Sequence, residues 1–337
     1  MKNTTITFSV AAAATIADGE ARVLIGQNKP RMVVDYRDRL RKHCEPFFGS
    51  TPLSKIDSRK LREFRDVLAA KGLKATSIAA ILSFVSKVLR MAHDDGLIRQ
   101  MPAIPRPPQR PSPRPAFNRD QYHRLLAALK LIEKGKPTIQ WRAAPIDREL
   151  RDLVTFMVNG FFRPGDMFVL QHKHVTIVPG DKDGPAYLRI DAPASKGHSD
   201  PIITMPVAVF IYDRILKGQK LRGLGRPNDY LFLPDRSNRS YAHEIIRRQF
   251  RLALIHAGLL TAANGNEHSL YSLRHTAITM RLQQGDVDLV TLARACRTSV
   301  EMIDRFYASS LTAESNKDKL FSFRRPTRYL DVSAPPA

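Results

Sequence analysis

A proline-rich segment, "MPAIPRPPQRPSPRPAF" at residues 101–117, restricts what this chain can fold into more than any other stretch. Seven of its 17 residues are proline. Each proline fixes φ and removes a backbone donor, so neither a helix nor a central strand can run through the segment. We expect an extended, polyproline-like linker between two domains. Its arginines Arg106, Arg110 and Arg114 would suit a connector that crosses a phosphate backbone.

The part before the linker, residues 1–100, is predicted to form a small helical domain. Apolar residues recur there at helical spacing, which places helices near 9–25, 30–45, 57–71 and 75–94. The third of these opens on Asp57 or Ser58 as an N-cap and closes at Gly72. We therefore expect an all-helical unit ahead of the prolines.

The part after the linker, residues 118–325, is predicted to form a larger mixed domain, followed by a tail at 326–337. Helical patterns cover 119–132 and 147–160, and a helical pattern resumes at Val207. Strand-like runs lie between them, at 172–178, 187–195 and 201–207. The loop "KGHSD" joins the last two runs, which predicts a hairpin within a small antiparallel sheet.

The charge of the chain favours a polyanionic partner. Fifty-four Lys and Arg face 32 Asp and Glu, a formal net charge of +22, and phosphate contacts of such a surface release counterions. An anionic membrane is the rival partner, but the charge is spread along the chain and no basic amphipathic anchor stands out. Candidate phosphate contacts in the second and third helices are Arg37, Arg41, Arg59 and Arg62.

Other classes of protein fit poorly. Two cysteines support neither a disulfide framework nor a zinc cluster, and they favour a reducing, cytoplasmic setting. We expect no apolar run of membrane-spanning length and no segment that crosses a membrane. The first twenty residues have one lysine and an interrupted alanine run, which favours an amphipathic helix over a signal peptide.

Two arginines stand where an anion could bind. Arg163 follows Gly160 and precedes Pro164, so it lies on a bend just ahead of a helix N-terminus. Arg274 and His275 begin another helix, where a guanidinium fork suits a phosphate. Taken singly, Arg163 is more typical of a plain turn residue, and Arg274 of a helix start paired with an acid.

Two further residues, Tyr307 and Lys196, have both a catalytic and a purely structural interpretation. Tyr307 follows Val300 and Ile303 at helical spacing, in a helix that we expect to start with a capping box of Thr298 and Glu301. It is either a core tyrosine or a nucleophile activated by nearby positive charge. Lys196, at a hairpin tip, is either solvated or a proton donor to a departing oxygen.

In chain order these elements are a bend arginine, a hairpin lysine, an Arg-His pair and a tyrosine near the C-terminus. With this order the sequence resembles the tyrosine recombinase (phage integrase) family over roughly residues 7–323. "NGFFRPGDMFVL" resembles the first arginine box, "LYSLRHTAIT" the second and "TSVEMIDRFYAS" the tyrosine box. "FGSTPLSKID" and "TSIAAILSFVSKVLRMAHDDGLI" resemble the core-binding domain.

The resemblance implies a mainly α fold with a small antiparallel β-sheet: a helical core-binding domain joined to a mixed α+β catalytic domain that close around DNA. It assigns Arg163 and Arg274 to the scissile phosphate and Tyr307 to the nucleophile. Lys196 matches the hairpin lysine and His275 the histidine after the second arginine.

Two positions depart from the family pattern. Tyr271 stands where a histidine is common, three residues before the second arginine; a phenol can donate a hydrogen bond but is a poor base near neutral pH. Arg297 or Thr298 stands where a histidine or tryptophan is usual, and Arg297 could supply a third phosphate contact. Deprotonation of the nucleophile would then fall to His275 or to water, with His268 as another candidate.

The implied activity is strand exchange of double-stranded DNA through a 3′-phosphotyrosine, with no nucleotide cofactor and no metal. Four protomers on two DNA sites would be the working unit, and an accessory directionality protein would fit such a reaction. Two alternatives remain open at this point: a catalytically impaired DNA-binding protein on the same fold, and a type IB topoisomerase-like enzyme.

Overall fold

The computed structural model describes residues 6–108, 114–142, 144–182, 184–193, 200–284 and 287–307, of which the side chains of Gln284 and Tyr307 are not described. The chain divides into two compact units, Met1–Pro111 and Ser112–Ala337. Each unit has its own hydrophobic core.

The smaller unit is helical. Its helices are α1 (Phe8–Leu24), α2 (Pro30–Arg39), α3 (Glu45–Phe48), α4 (Ser58–Ala70) and α5 (Ala75–Asp94). A π-helical turn, Leu40–Cys44, links α2 to α3, and a 3₁₀ turn covers Leu53–Lys55. The Asp57 carboxylate accepts the backbone N–H of Lys60 at 2.8 Å, which makes Asp57 rather than Ser58 the N-cap of α4.

Helix α5 is the central apolar element of this unit. Among the described helices it alone is long and apolar enough to cross a membrane by length and composition, so the expectation that no such run exists is wrong. Eight of its residues are nevertheless buried in the core of the smaller unit, among them Phe84, Val85 and Val88. The apolar face of α5 is thus used for packing within this unit.

The larger unit surrounds a second core. Its described helices are α6 (Arg119–Glu133), α7 (Arg148–Gly160), α8 (Pro164–Met167), α9 (Val207–Lys220), α10 (Arg239–His256), α11 (Leu270–Gln284), α12 (Leu289–Ala295) and α13 (Val300–Tyr307). Helix α7 packs against α6, α9, α10 and α11. Because α7 is buried on several sides, the segments at its ends are held firmly.

In the part of the chain that the structure describes, five short strands form two antiparallel sheets. Strands β1 (Gln140–Trp141) and β2 (Ala144–Pro145) pair in a hairpin that the sequence patterns did not predict. Strands β3 (Val175–Val178), β4 (Tyr187–Ile190) and β5 (Ile202–Ile203) form a sheet in that order, with Val175 opposite Ile190 and Ile190 opposite Ile202. The predicted fold class, mainly α with a small antiparallel sheet, is confirmed.

Candidate functional site: a cluster of arginines

Arg163 is held at the bend that its neighbours predict. Helix α7 ends at Gly160, and Pro164 is the first residue of α8, so Arg163 takes the extended N-cap conformation (φ −74°, ψ 146°). Its backbone N–H donates to the Asp166 carboxylate at 3.2 Å, and its guanidinium donates to the carbonyl of Arg297. The Nη1 atom of Arg163 is buried and makes no hydrogen bond within the described residues.

Arg274 lies one turn inside α11 and is only 4% exposed. Its two Nη atoms donate to the carbonyls of Phe161 and Cys296. Residues 296 and 297 are consecutive, so Arg163 and Arg274, separated by more than a hundred positions, are both fixed by the same short turn after α12.

The backbone that receives these guanidiniums is strained. Phe161 and Arg297 are both in the left-handed region, with φ of 56° and 51°. A non-glycine residue there costs on the order of 1 kcal/mol or more and persists only where the surroundings enforce it. Each of these two residues presents its carbonyl to an arginine, so the strain coincides with the part of the fold that positions the arginines.

The cluster gathers more positive than negative charge. Burial lowers the pKa of Arg163, and the charges of Arg274 and Arg297 lower it further. Among the described residues, Asp166 and the Tyr271 phenol act in the opposite direction. Arg297 is 1% exposed and is the largest fully buried side chain among the residues with described burial. Three guanidiniums near one buried carboxylate form a site that an anion would stabilise.

His275 and Tyr271 lie next to Arg274 on α11. The two rings are 5.2 Å apart, Tyr271 is half-buried, and His275 is buried. Burial, and to a smaller extent the charges of Arg274 and Arg114, together lower the pKa of His275 to about 4. The imidazole is therefore neutral at pH 7 and able to accept a proton, although each added positive charge weakens it as a base.

The end of the proline-rich segment also lies at this site. The Arg114 Nη1 donates to the Ser269 Oγ at 3.1 Å, and its guanidinium lies 5.4 Å from the centre of the Tyr271 ring. The sequence patterns did not predict this contact, because they assigned Arg114 only to a generic phosphate-facing linker. His268, the other histidine considered, is buried elsewhere: it stacks on Phe117 at 4.1 Å and its Nδ1 is bonded to the Leu259 carbonyl.

Two predicted residues cannot be placed. Lys196 lies outside the described residues, and so does the side chain of Tyr307, whose backbone is the last residue of α13. Helix α13 is anchored by the buried Ile303. The predicted capping box is wrong: the Ser299 Oγ accepts the backbone N–H of Met302 at 3.3 Å, so Ser299 rather than Thr298 caps the helix. Serine has the same capping chemistry, and the helix begins one residue later.

The four predicted DNA contacts of the smaller unit lie in α2, the π-helical turn and α4 and are exposed. Arg37 pairs with Glu20, Arg41 with Asp38 at 3.5 Å and Arg59 with Glu63 at 3.2 Å. Pairs this exposed are weak, and a phosphate can compete for the arginines. Arg62 is also exposed on α4. Their role in binding stays a prediction.

The described residues contain no group of three or more His, Cys, Asp or Glu side chains arranged to hold a metal ion. The groups that meet at this site include guanidinium, imidazole and phenol, with the Asp166 carboxylate at Arg163. Together they can bind an oxyanion, donate hydrogen bonds to it and accept a proton beside it.

Comparison with known proteins gives matches at the level of structure only. No family model matches the chain, and no curated protein sequence does. A lambda integrase dimer bound to a COC′ core site is similar, with a TM-score of 0.64 and 16% identity over 88% of this chain and 76% of that one. A lambda integrase tetramer bound to a Holliday junction has a TM-score of 0.65 and 15% identity over 97% and 81% of the two chains. The Tn1549 transposon integrase in complex with a circular intermediate DNA has a TM-score of 0.67 and 15% identity over 95% and 100%.

Proposed function

Because the chain has the fold of the tyrosine recombinases, we propose that it is a site-specific DNA recombinase that cleaves and rejoins DNA through a covalent 3′-phosphotyrosine, acting in DNA integration or excision. The observation that carries the proposal is the arrangement of Arg163 and Arg274. The two guanidiniums are held by the carbonyls of adjacent residues, Arg297 and Cys296, in a buried cluster with excess positive charge.

In the first step, the Tyr307 oxygen attacks the scissile phosphorus while the bond from phosphorus to the 5′-oxygen breaks. The phenol proton passes to a base, and the departing 5′-oxygen takes a proton from Lys196. The roles of Tyr307 and Lys196 are assigned by their resemblance to the family motifs.

The arginines act on the charge that develops on the non-bridging oxygens. Arg163 and Arg274 are fixed before substrate arrives, so their alignment costs little reorganisation in the transition state. In this mechanism Arg297 supplies a third cation to the same cluster, at the position where the family usually has a histidine or tryptophan. One oxyanion-type contact removed from such a site typically costs about 10²–10³-fold in rate.

His275 directly follows Arg274 on α11 and is the base that we assign to this cluster. Its lowered pKa keeps the imidazole neutral and ready to accept a proton across the physiological range. The Tyr271 phenol donates a hydrogen bond to a phosphate oxygen. His275 would thus accept the nucleophile's proton, and Tyr271 would bind the phosphate where a histidine is common.

Rejoining is the reverse of cleavage with a different strand. A 5′-hydroxyl from a partner duplex attacks the phosphorus and gives its proton to the neutral Lys196 amine. The bond from phosphorus to the Tyr307 oxygen breaks, and that oxygen takes back the proton that the base accepted in the first step. The phosphodiester energy is conserved in the covalent link, so the step consumes no nucleotide. Double-stranded DNA is the substrate, and we infer a working tetramer on two DNA sites, since one similar structure is an integrase tetramer on a Holliday junction.

A nicked suicide substrate tests the proposal, because loss of the short cleaved fragment traps the covalent adduct. The element's own flanking DNA provides the site. We expect an adduct with the full-length chain, none with Tyr307→Phe, and a loss of about 10²-fold or more with Arg163→Lys or Arg274→Lys. The matched control is Arg248→Lys on α10, an exposed arginine paired with Glu244.

The alternatives correspond to other outcomes. Sequence-specific binding without any adduct would indicate a DNA-binding protein that has lost catalysis and would overturn the proposal. Relaxation of supercoiled plasmid with no recombinant product would indicate a topoisomerase-like activity and would also overturn it.

A further inference from the structure

The last residues of the proline-rich segment are fastened to the helix that carries the site. Pro115 and Phe117 are buried, and the Phe117 N–H donates to the Thr276 Oγ1 at 2.8 Å. Thr276, fully buried on α11, in turn donates to the Ser272 carbonyl at 2.9 Å. A segment with so few backbone donors gains its fixed position from these contacts.

This attachment places Arg114 over the exposed side of the site. Its guanidinium reaches the Ser269 hydroxyl, at the start of α11, and lies 5.4 Å from the centre of the Tyr271 ring. A cation over an aromatic face restrains the ring electrostatically, and the bond to Ser269 fixes the cation. Tyr271 is only half-buried, so its own packing leaves the phenol incompletely held.

We propose that Arg114 is a positioning residue of this site, which holds the Tyr271 phenol in the orientation that the phosphate requires. The inference rests on the proposed function for its catalytic consequence, but not for its geometry. Arg114 acts through Tyr271, and in this assignment it does not itself contact the reacting atoms.

The charge of Arg114 has a second effect that can be measured without DNA. Two of the charged groups that act on His275 are Arg274, on its own helix, and Arg114, from the proline-rich segment. Both oppose protonation of the imidazole and, together with burial, which is the larger cause, they lower its pKa to about 4. Removal of Arg114 should therefore raise the pKa of His275, while retention of a positive charge should keep it low.

The experiment compares Arg114→Gln, Arg114→Lys and the control Arg119→Gln, an exposed arginine at the start of α6. Full-length protein with isotope-labelled histidine is titrated by NMR, and the His275 signal is assigned with His275→Gln. We expect a higher His275 midpoint in Arg114→Gln only, with Arg114→Lys close to the parent chain.

The same variants are then followed on the suicide substrate as a function of pH. We expect Arg114→Gln to slow adduct formation about five- to twentyfold and to shift its acid limb to higher pH, with partial rescue by Arg114→Lys. An unchanged His275 midpoint in Arg114→Gln, or an adduct rate equal to that of Arg119→Gln, overturns the inference. If the parent chain forms no adduct, the proposed function fails, and the titration alone decides the place of Arg114.

Discussion

Gly160→Ala should destabilise the larger unit because the ring of Phe162 occupies the space that a Cβ at position 160 needs. A Cβ built on Gly160 would lie 2.6 Å from the Phe162 Cδ2 and 2.7 Å from its Cζ, and it would also overlap the Cε2. Ordinary carbon contacts are about 3.5–4.0 Å, so the ring would have to move by about 1 Å or more. Phe162 is fully buried and stacks on Phe156 at 5.1 Å with an interplanar angle of 6°, so it has no free direction to move.

The size of the effect follows from two opposing terms. Overpacking of a filled core costs about 1–3 kcal/mol, and a rigid buried ring places Gly160→Ala at the upper end. Alanine has a higher helix propensity than glycine by about 1 kcal/mol in a helix interior, and near the end of α7 a part of this gain offsets the overpacking. We expect a net loss of about 2 kcal/mol in the free energy of unfolding.

Urea unfolding followed by tryptophan fluorescence measures this loss of stability specifically in the larger unit of the chain. Trp141 is the single tryptophan of the chain and belongs to the larger unit, so its signal is insensitive to unfolding of the smaller one. Gly165→Ala is the matched control, since a Cβ there meets nothing within 4 Å. It should leave the midpoint unchanged or raise it slightly.

A second background makes the reasoning refutable. Leucine at position 162 lacks the ring carbons Cε2 and Cζ, so Gly160→Ala should cost much less in a Phe162→Leu chain than in the parent. An equal cost in both backgrounds, or equal midpoints for Gly160→Ala and Gly165→Ala, would show that the ring does not exclude a side chain at Gly160.

Further predictions concern pH and the strained turn. His275 has a pKa of about 4 in the folded chain and 6.5 in the unfolded chain, so its contribution to stability is present above pH 6.5 and is lost as pH falls towards 4. The free energy of unfolding should therefore fall between pH 7.5 and pH 4.5 by up to about 3 kcal/mol more in the parent than in His275→Gln. Burial raises the pKa of Glu149 to about 7, so its contribution to stability falls as pH rises, the opposite of His275. Glu149→Gln should stabilise the larger unit above pH 7 by roughly 1–2 kcal/mol, because the amide oxygen can still accept the Leu233 N–H. An unchanged urea midpoint at pH 8 would contradict this. Arg297→Gly relieves the positive φ and removes the guanidinium. We expect adduct formation to fall at least tenfold, while the free energy of unfolding stays within about 1 kcal/mol of the parent. Unimpaired adduct formation would exclude a role for this guanidinium.

Short-range patterns predicted most of the regular structure correctly. Helical spacing placed α4, α5, α6 and α7 within one or two residues of their ends, because periodicity and end signals act within a turn or two. The same patterns did not predict the π-helical turn after α2 or the β1–β2 hairpin. Both are short, and tertiary packing can impose such elements on residues with no clear local preference.

The sequence by itself determined the bend at Arg163. Gly160 ends a helix and Pro164 begins the next, and both act on the backbone within a few residues. The sequence also determined which side chains carry the candidate chemistry, because the residue type alone fixes whether a side chain has a guanidinium, an imidazole or a phenol. The roles of Lys196 and Tyr307 stay predictions on that basis.

Only the tertiary structure decided what holds the arginines together. Their partners are the backbone carbonyls of Phe161, Cys296 and Arg297, and every residue type has a carbonyl, so no sequence pattern marks these three. Two of them take the left-handed conformation against the preference of a non-glycine residue, which packing around them must enforce. The contact of Arg114 with Tyr271 is equally long-range, because it depends on where the proline-rich segment meets α11. Local rules reach one or two turns along the chain, and this site is built from contacts that span more than a hundred residues.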